Sequence, residues 1–300
     1  MAQMIVRTLF AGTILFGLFW GIAFTPMTIR LAARYRIIDR PGERKTHPED
    51  IPRGGGLALW SGLMLWSLVA WGNGTMSVPL ATGASLVFFV GYIDDMRPLP
   101  PLFRLALHLV AAFLVLLPLP LPYGIRLLLL FWIAGCTSAF NLIDGMNGLC
   151  LTLSMSSFAI GAATGFGSFW GLLLGISAGI LFWNFPKAKT FLGDGGSTLL
   201  GFLWSALLAE ETGAILQGMP FHMVVLLLLL LGGVPILDTS YSIVRRILHG
   251  RSPFSPDRGH FHHRLLDAGL HGWGVLAILN LLHIALVASG IYLLGGGPAL

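Results

Sequence analysis

The stretch Gly91-Tyr92-Ile93-Asp94-Asp95 ends an apolar run that begins at Val78. Two adjacent carboxylates at the mouth of a membrane-length apolar segment are costly to bury, so acids in this position are functional candidates. A helix that simply ends in solvated acids would give the same pattern. Three further polar clusters at the ends of apolar segments argue against that simpler interpretation: Asn141-Leu142-Ile143-Asp144-Gly145, Gly193-Asp194-Gly195-Gly196-Ser197 and His260-Phe261-His262-His263.

The composition is much more apolar than that of a soluble protein of the same length. Of the 300 residues, 55% are hydrophobic and 10% are charged, and the mean hydropathy is +0.81. Apolar stretches of about 17–25 residues can cross a bilayer as helices, and the alternation of a membrane β-barrel is missing from them. The sequence therefore predicts an all-α, polytopic membrane helix bundle that forms a single domain over residues 1–300.

About ten apolar segments are predicted to cross the membrane. They are Val6–Thr28, Gly54–Trp71, Val78–Ile93, Leu102–Leu117, Ile125–Leu142, Leu149–Ala163, Phe166–Phe185, Ser197–Ala209, Phe221–Leu237 and Gly274–Leu294. If they alternate in direction, 16 of the 18 Lys and Arg residues fall on one side. Because cytoplasmic loops carry the excess of Lys and Arg, both termini are predicted to lie outside and all four polar clusters to face the cytoplasm. The net charge of +5 thus reflects topology and does not indicate nucleic acid.

Two of the polar clusters predict a site for a metal ion and a phosphate. Asn141 and Asp144 are three residues apart, so on a helix they share a face and can converge on one ligand. Asp194 lies among glycines just before an apolar helix, and glycine-rich backbone at a helix N-terminus offers N–H donors to a phosphate. A carboxylate beside that backbone suits Mg2+, which proteins hold through one or two oxygens together with substrate phosphates.

The segment Pro253–Arg264 concentrates imidazole and guanidinium groups in one loop. Zinc is an alternative ligand, but adjacent His262 and His263 diverge on regular backbone and no cysteine accompanies them. Contact of these side chains with phosphate is the preferred interpretation, whereas the isolated His222 and His283 are given no role. Together the clusters predict a site for phosphoryl transfer from a nucleotide-type donor to a lipid acceptor.

Taken in order, these motifs resemble the polyprenyl-phosphate N-acetylhexosamine-1-phosphate transferases, the WecA-, TagO- and MraY-like superfamily of the glycosyltransferase family 4 type. The residues that carry the resemblance are Asp94-Asp95 with Leu99, Arg104-Leu105 and His108; Asn141 with Asp144-Gly145 and Asn147-Gly148-Leu149; Asn184, Phe191 and Gly193–Ser197; and His260–His263. The last motif, with Lys45, His47 and Pro52-Arg53-Gly54-Gly55, is similar to the WecA-like branch. Arg104, His108 and Asn147 depart from the family pattern, which has Lys, Gln and Asp at these positions.

The resemblance implies a reaction in which undecaprenyl phosphate and a UDP-N-acetylhexosamine give undecaprenyl-diphospho-sugar and UMP. UDP-GlcNAc is the default donor, and UDP-FucNAc or UDP-QuiNAc is the alternative. The implied metal is Mg2+, or Mn2+ in its place, held by Asn141 and Asp194. Direct in-line attack of the lipid phosphate is favoured over a covalent aspartyl-phosphate intermediate.

The resemblance also implies roles for the remaining site residues. Asp94 and Asp95 would deprotonate or position the lipid phosphate. His260, His262 and His263 would contact the diphosphate. The residues that would bind the rest of the substrates are Asp144, Asn184 and Phe191 at the nucleoside, together with Lys45 and His47.

The implied setting is the bacterial cytoplasmic membrane, where the chain contacts membrane lipid and no nucleic acid, and where a homo-oligomer is left open. The product would start a cell-surface polysaccharide such as the lipopolysaccharide O antigen. An ion-coupled transporter is the non-enzyme alternative, because acids in helical segments also mark ion pathways, although transporters usually place their sites at the membrane midplane. A lipid-binding scaffold would leave the Asp and His motifs unexplained.

Overall fold

The computed structural model describes residues 2–40, 49–70, 76–164, 167, 169–255 and 259–295. Within these ranges the chain forms eleven helices and one antiparallel pair of two-residue strands. In chain order they are α1 (Ala2–Arg34), β1 (Ile38–Asp39), β2 (Ile51–Pro52), α2 (Gly55–Val69), α3 (Val78–Met96), α4 (Pro101–Leu116), α5 (Tyr123–Ile143), α6 (Leu149–Ala163), α7 (Phe169–Asn184), α8 (Gly193–Gln217), α9 (Phe221–Leu248), α10 (Phe261–Asp267) and α11 (Gly272–Leu293). The predicted helical architecture is confirmed, with one short hairpin added.

The ten predicted apolar segments coincide with α1 to α9 and α11. Among the described residues, six of these helices are long and apolar enough to cross a membrane, namely α1, α3, α5, α8, α9 and α11. The other four, α2, α4, α6 and α7, are apolar helices of 15 or 16 residues. The number of helices that cross, and the side on which the termini lie, remain predictions.

Helix α8 lies at the centre of the bundle, with α3 and α5 packed along it. Its Phe202 and Trp204 are completely buried, and the indole nitrogen of Trp204 donates a hydrogen bond to the carbonyl of Leu231 in α9 (2.8 Å). A buried indole N–H needs such a partner because hydrocarbon offers no acceptor. The core therefore fixes the position of α8, whose first turn carries Asp194.

Glycines allow other helices to approach the first turn of α8 through their backbones. A Cβ atom on Gly56 of α2 would lie 2.5 Å from the backbone nitrogen of Gly196. A Cβ atom on Gly91 of α3 would lie 2.5 Å from the carbonyl oxygen of Asp194. The polar ends of three helices are brought together in this way.

The stretch from Asp238 to Gly272, between the last two predicted apolar segments, contains two helical parts. Helix α9 continues to Leu248 and α10 follows within the same stretch. The helix persists because apolar residues recur at three- and four-residue spacing beyond the fully apolar run, which ends at Leu237.

Helix α9 is also broken at Gly233, whose φ of 57° and ψ of −149° are not helical. The break frees the backbone N–H of Val234, which donates to Nδ1 of His283 on α11 (3.2 Å). The other ring nitrogen of His283 lies 2.7 Å from the hydroxyl of Ser157 on α6. The sequence predicts no role for His283, yet in the structure this residue joins three helices at the break.

Candidate active site

Asp95, in the last turn of α3, binds the N-terminus of α8. Its carboxylate accepts hydrogen bonds from the backbone nitrogens of Asp194 (2.9 Å) and Gly195 (3.3 Å) and from Nη1 of Arg53 (2.5 Å). The Asp95 side chain is 1% exposed. An acid at a helix N-terminus satisfies free N–H groups and stabilises the helix dipole, so Asp95 fixes the position of Asp194.

This arrangement corrects the expectation that the glycine-rich start of α8 offers its N–H groups to a phosphate. The backbone nitrogens of Asp194 and Gly195 donate to Asp95 instead. The carboxylate can reach these nitrogens because residue 193 is a glycine. A Cβ atom at this position, where φ is +71°, would overlap the carboxylate of Asp95. These glycines therefore serve the close approach of α3 rather than the cradling of a ligand.

Asp94, Asp194 and Asn141 form a second set of contacts around the guanidinium group of Arg104. Nη1 of Arg104 pairs with the carboxylate of Asp94 and lies 3.0 Å from Oδ2 of Asp194. The same Asp194 oxygen accepts a hydrogen bond from Nδ2 of Asn141 (3.2 Å), and Oδ1 of Asn141 accepts one from the hydroxyl of Ser197 (2.9 Å). Asp194 is 28% exposed, so it is the most accessible of the three clustered aspartates.

Arg53 connects the hairpin to the acidic cluster. Its two terminal nitrogens lie 2.5 Å from Asp39 and 2.5 Å from Asp95. Burial alone would lower the pKa of Arg53, but the two carboxylates outweigh burial and hold that pKa above its ordinary value. A permanent cation is therefore fixed beside Asp95.

Asp144 lies beyond the end of α5, with φ of −74° and ψ of 51°, so it does not share a helical face with Asn141 as the sequence analysis supposed. The helix ends one residue earlier because Gly145 and Gly148 follow and favour a turn. Burial, together with the smaller effect of the charge of Asp95, raises the pKa of Asp144 to about 7. Asp144 remains half-buried near the cluster.

Asn184 joins the loop after α5 to the loop before α8. Its Oδ1 accepts a hydrogen bond from the backbone nitrogen of Gly148 (2.7 Å), and its Nδ2 donates to the carbonyl of Thr190 (2.9 Å). Phe191 is half-buried, and its backbone pairs with Pro52 and Gly55. The predicted contact of Asn184 and Phe191 with a nucleoside stays a prediction.

The histidine motif lies at the start of α10. Nδ1 of His260 is 2.6 Å from Oδ2 of Asp238 on α9, and the other oxygen of Asp238 accepts a hydrogen bond from the backbone nitrogen of Phe261 (2.7 Å). Asp238 is thus a site residue that the sequence analysis missed. The signal was present, because Asp238 directly follows the apolar run that ends at Leu237, as Asp94 follows the run that ends at Ile93.

His262 is 1% exposed, and its ring packs so closely on Gly145 that a Cβ atom there would overlap it. The ring centroid of His263 is 4.2 Å away. Neither ring nitrogen of His262 has a hydrogen-bond partner in the part of the chain that the structure describes. Burial lowers the pKa of His262 to about 3, and the neighbouring His263 and His260 contribute to the lowering, so the ring is neutral at physiological pH.

The structure thus brings Asp94, Asp95, Asn141 and Asp194 into one connected cluster and places His262 against the loop that carries Asp144. Lys45 and His47 lie outside the described residues. Among the described residues, no three His, Cys, Asp or Glu side chains are arranged as a metal site. A metal ion at this cluster would therefore need the Asn141 amide and oxygens of a substrate in addition to Asp194.

The fold and the site define a helical, multi-pass membrane protein with a cluster of acidic side chains bridged by arginines. The model of the family described as glycosyl transferase family 4 matches residues 77–210. The chain is 33% identical over 288 residues to a probable undecaprenyl-phosphate N-acetylglucosaminyl 1-phosphate transferase of Bacillus subtilis strain 168, and the match covers 86% of this chain and 77% of that protein.

Two further relatives agree. The decaprenyl-phosphate N-acetylglucosaminephosphotransferase of Mycolicibacterium smegmatis is 32% identical over 87% of this chain and 76% of its own length. The undecaprenyl-phosphate alpha-N-acetylglucosaminyl 1-phosphate transferase of Escherichia coli K12 is 28% identical over 87% of this chain and 78% of its own length. The chain therefore belongs to the polyprenyl-phosphate N-acetylhexosamine-1-phosphate transferase superfamily, as the sequence motifs predict, and it is a transferase.

Proposed function

We propose that the chain transfers N-acetylhexosamine 1-phosphate from a UDP-sugar to undecaprenyl phosphate and releases UMP. The proposed sugar is GlcNAc, which appears in the names of the relatives, and FucNAc and QuiNAc are the alternatives. The observation that carries the proposal is the meeting of Asp94, Asp95, Asn141 and Asp194 around two arginines. Phosphoryl transfer depends mainly on groups that position phosphates and neutralise their charge.

Mg2+ fits the chemistry of this cluster. Asp39, Asp94, Asp95 and Asp194 carry four formal negative charges, whereas Arg53 and Arg104 carry two positive charges, and a divalent cation would balance the difference. The carboxylate of Asp194 and the amide of Asn141 are the protein groups that would hold it, with substrate phosphates completing the oxygen ligands. When bound, Mg2+ would neutralise charge on the transferred phosphoryl group, and Mn2+ accepts similar oxygen ligands.

The lipid phosphate is proposed to act directly as the nucleophile. A phosphate monoester is largely ionised near neutral pH, so one of its oxygens attacks the phosphorus that bears the sugar. A new P–O bond forms, the bond to the uridine-bearing phosphate breaks, and UMP leaves with the bonding electron pair. Asp94 is held by Arg104 and by the backbone nitrogen of Leu99 (2.5 Å), and Asp95 is held by three donors, which favours positioning roles over a covalent aspartyl phosphate.

The remaining residues are proposed to bind the donor. The neutral ring of His262 carries one N–H that could donate a hydrogen bond to the diphosphate, and Asp238 orients His260 beside it. His263 is proposed to contact the same diphosphate. The proposed contacts with the rest of the donor are made by Asp144, Asn184, Phe191, Lys45 and His47.

In this proposal ten helices cross the bacterial cytoplasmic membrane, both termini lie outside and the acidic cluster faces the cytoplasm, where nucleotide sugars are made. The distribution of Lys and Arg supports this orientation. The product would start the synthesis of a cell-surface polysaccharide.

UMP release from a panel of UDP-sugars with undecaprenyl phosphate, with and without Mg2+, tests the proposal. We expect metal-dependent turnover in the wild type and a loss of at least about 100-fold in Asp194→Asn. Glu49→Gln is the matched control, because it makes the same change of charge at a carboxylate that is 67% exposed, where ion pairs contribute little. Undiminished turnover in chelator or in Asp194→Asn would remove the metal site, and failure of every UDP-sugar would overturn the reaction.

A further inference from the structure

One nitrogen of Arg104 contacts two carboxylates at once. Its Nη1 pairs with Oδ2 of Asp94 and lies 3.0 Å from Oδ2 of Asp194. The three side chains come from three different helices, because Arg104 lies in the first turn of α4, Asp94 in the last turn of α3 and Asp194 in the first turn of α8. The guanidinium group therefore places a positive charge between the two acids.

The oxygen of Asp194 that meets Arg104 also faces Asn141. This Oδ2 accepts a hydrogen bond from Nδ2 of Asn141 (3.2 Å), so it is the oxygen that a metal ion held by Asp194 and Asn141 together would use. A guanidinium group and a divalent cation on one carboxylate repel each other strongly at such short separations. Arg104 and the metal ion therefore compete for Asp194.

The amide of Asn141 is also oriented for the arginine rather than for a metal ion. Its Nδ2 faces Asp194, whereas its Oδ1 accepts a hydrogen bond from the hydroxyl of Ser197 (2.9 Å). Mg2+ binds the oxygen of such an amide and not its nitrogen. A half-turn of the amide would present Oδ1 to the metal ion, and Ser197 supports both orientations because a hydroxyl can accept from Nδ2 as well as donate to Oδ1.

We propose that Arg104 is an internal competitor of the metal ion and sets the metal affinity of the site. Its guanidinium group leaves Asp194 when the metal ion binds and stays paired with Asp94. Asp194 is then neutralised both before and after metal binding, which avoids the high cost of an unpaired charge in a partly buried site. This inference rests on the metal site of the proposed function.

Binding of Mn2+ to the full chain in detergent, without substrates, tests the competition. Free Mn2+ is measured from its electron paramagnetic resonance signal, and water takes the place of the substrate oxygens. We expect the Kd for Mn2+ to fall about fivefold in Arg104→Gln, because this variant has no guanidinium group to displace. The matched control is Arg97→Gln, which removes the same charge from an exposed arginine directly after α3 and should change the Kd less than about twofold.

A double-mutant cycle separates competition from a general effect of charge. Asp94 keeps the released guanidinium group, so Asp94→Asn should raise the Kd about tenfold in the wild type and only about threefold in Arg104→Gln. A general effect of charge would give the same factor in both backgrounds. The wild type provides a test that needs no variant: saturating Mn2+ should speed the modification of Arg104 by phenylglyoxal, measured by peptide mass spectrometry, because the guanidinium group loses its contact with Asp194.

Three outcomes would each overturn the competition: the same Kd in Arg104→Gln and the wild type, equal factors for Asp94→Asn in the two backgrounds, or an unchanged rate of modification at Arg104. Asp194→Asn tests the metal site itself and should raise the Kd by at least about 20-fold. If Asp194→Asn weakens binding and Arg104→Gln has no effect, the metal site stands and only the competition fails. Absence of Mn2+ binding in every protein would overturn the metal site as well, and none of these measurements requires turnover.

Discussion

Asp95 acts in the structure through its position. Its carboxylate meets Arg53 and two backbone N–H groups, and all of these partners lie on other segments of the chain. Three donors satisfy the hydrogen-bonding capacity of this buried carboxylate. Its replacement therefore tests how strongly the clustered ends of the helices depend on one side chain.

Asp95→Asn should destabilise the protein by about 3 kcal/mol, because it leaves Arg53 without one of two buried partners. The measurement is the free energy of unfolding by SDS titration in mixed micelles. Glu49→Gln removes one partner of an exposed ion pair and should cost less than about 0.5 kcal/mol. Equal effects of the two substitutions would contradict a structural role for Asp95.

His262 should make the stability depend on pH. Its pKa is about 3 in the folded chain and about 6.5 in the unfolded chain. The unfolded state thus binds more protons between these values, and the stability falls as the pH is lowered below 6.5. Between pH 7 and pH 5 the wild type should lose about 2 kcal/mol more than His262→Gln, measured by the same titration, and parallel losses in both proteins would contradict a buried, neutral His262.

At the scale of residues, the sequence predicts which side chains belong to the site better than it predicts their partners. Asp94, Asp95, Asn141 and Asp194 stand at the ends of apolar segments, which is a signal readable from the sequence. The hydrogen bonds from the start of α8 to Asp95 depend instead on how closely α3 packs against α8. That packing distance cannot be predicted from a local sequence pattern.

At the scale of elements, the break in α9 positions the histidine motif. Gly233 adopts a positive φ, Val234 hydrogen bonds to His283, and the helix beyond the break carries Asp238, which binds His260. An unpaired backbone N–H in an apolar environment is costly. His283 therefore stabilises the direction in which the second half of α9 leaves the bundle.

His283→Leu should lower the free energy of unfolding by about 1–3 kcal/mol, because the Val234 N–H and the Ser157 hydroxyl lose their partner. UMP release should fall as well, since Asp238 lies just beyond the break. His222→Leu, which changes an exposed histidine in the first turn of α9, is the matched control. If both variants match the wild type in stability and turnover, His283 has no role at the break.

The sequence predicts the apolar helices more completely than it predicts the end of α9. Hydropathy identifies the ten apolar helices, because each is a nearly continuous run of apolar residues. It misses the last part of α9, where arginines interrupt the apolar run while Tyr241, Val244 and Leu248 keep an apolar face at helical spacing.

At the scale of the whole molecule, the proposed orientation can be tested by chemical labelling. Cys136 and Cys150 are both buried, so they give little background reaction with a thiol reagent. In intact cells a membrane-impermeant maleimide should label Tyr123→Cys, which is 81% exposed at a predicted outer end, and should label Glu49→Cys only after permeabilisation. The opposite pattern would place the acidic cluster on the outer face.

The sequence predicts that the polar clusters share one site, but it does not predict how they meet. Asp94, Asn141, Asp194 and His262 come from four helices or their ends, and the distribution of Lys and Arg indicates only that they face the same side of the membrane. The physical cause of their meeting is the packing of α2, α3 and α5 around α8, which rests on glycines far apart in the chain.

The seam between β2, the start of α2 and the segment before α8 is made largely of main-chain atoms. The backbone nitrogens of Gly55, Gly56 and Phe191 donate to the carbonyls of Phe191, Leu192 and Pro52, respectively. Because these contacts are made by backbone atoms, they depend little on the flanking side chains. Substitutions at Leu192 that preserve its size should leave stability and activity unchanged. A methyl group added at Gly56 or Gly196 would push α2 and α8 apart. A library of all substitutions across the seam should therefore retain activity with most apolar residues at position 192 and lose it with any residue other than glycine at positions 56 and 196.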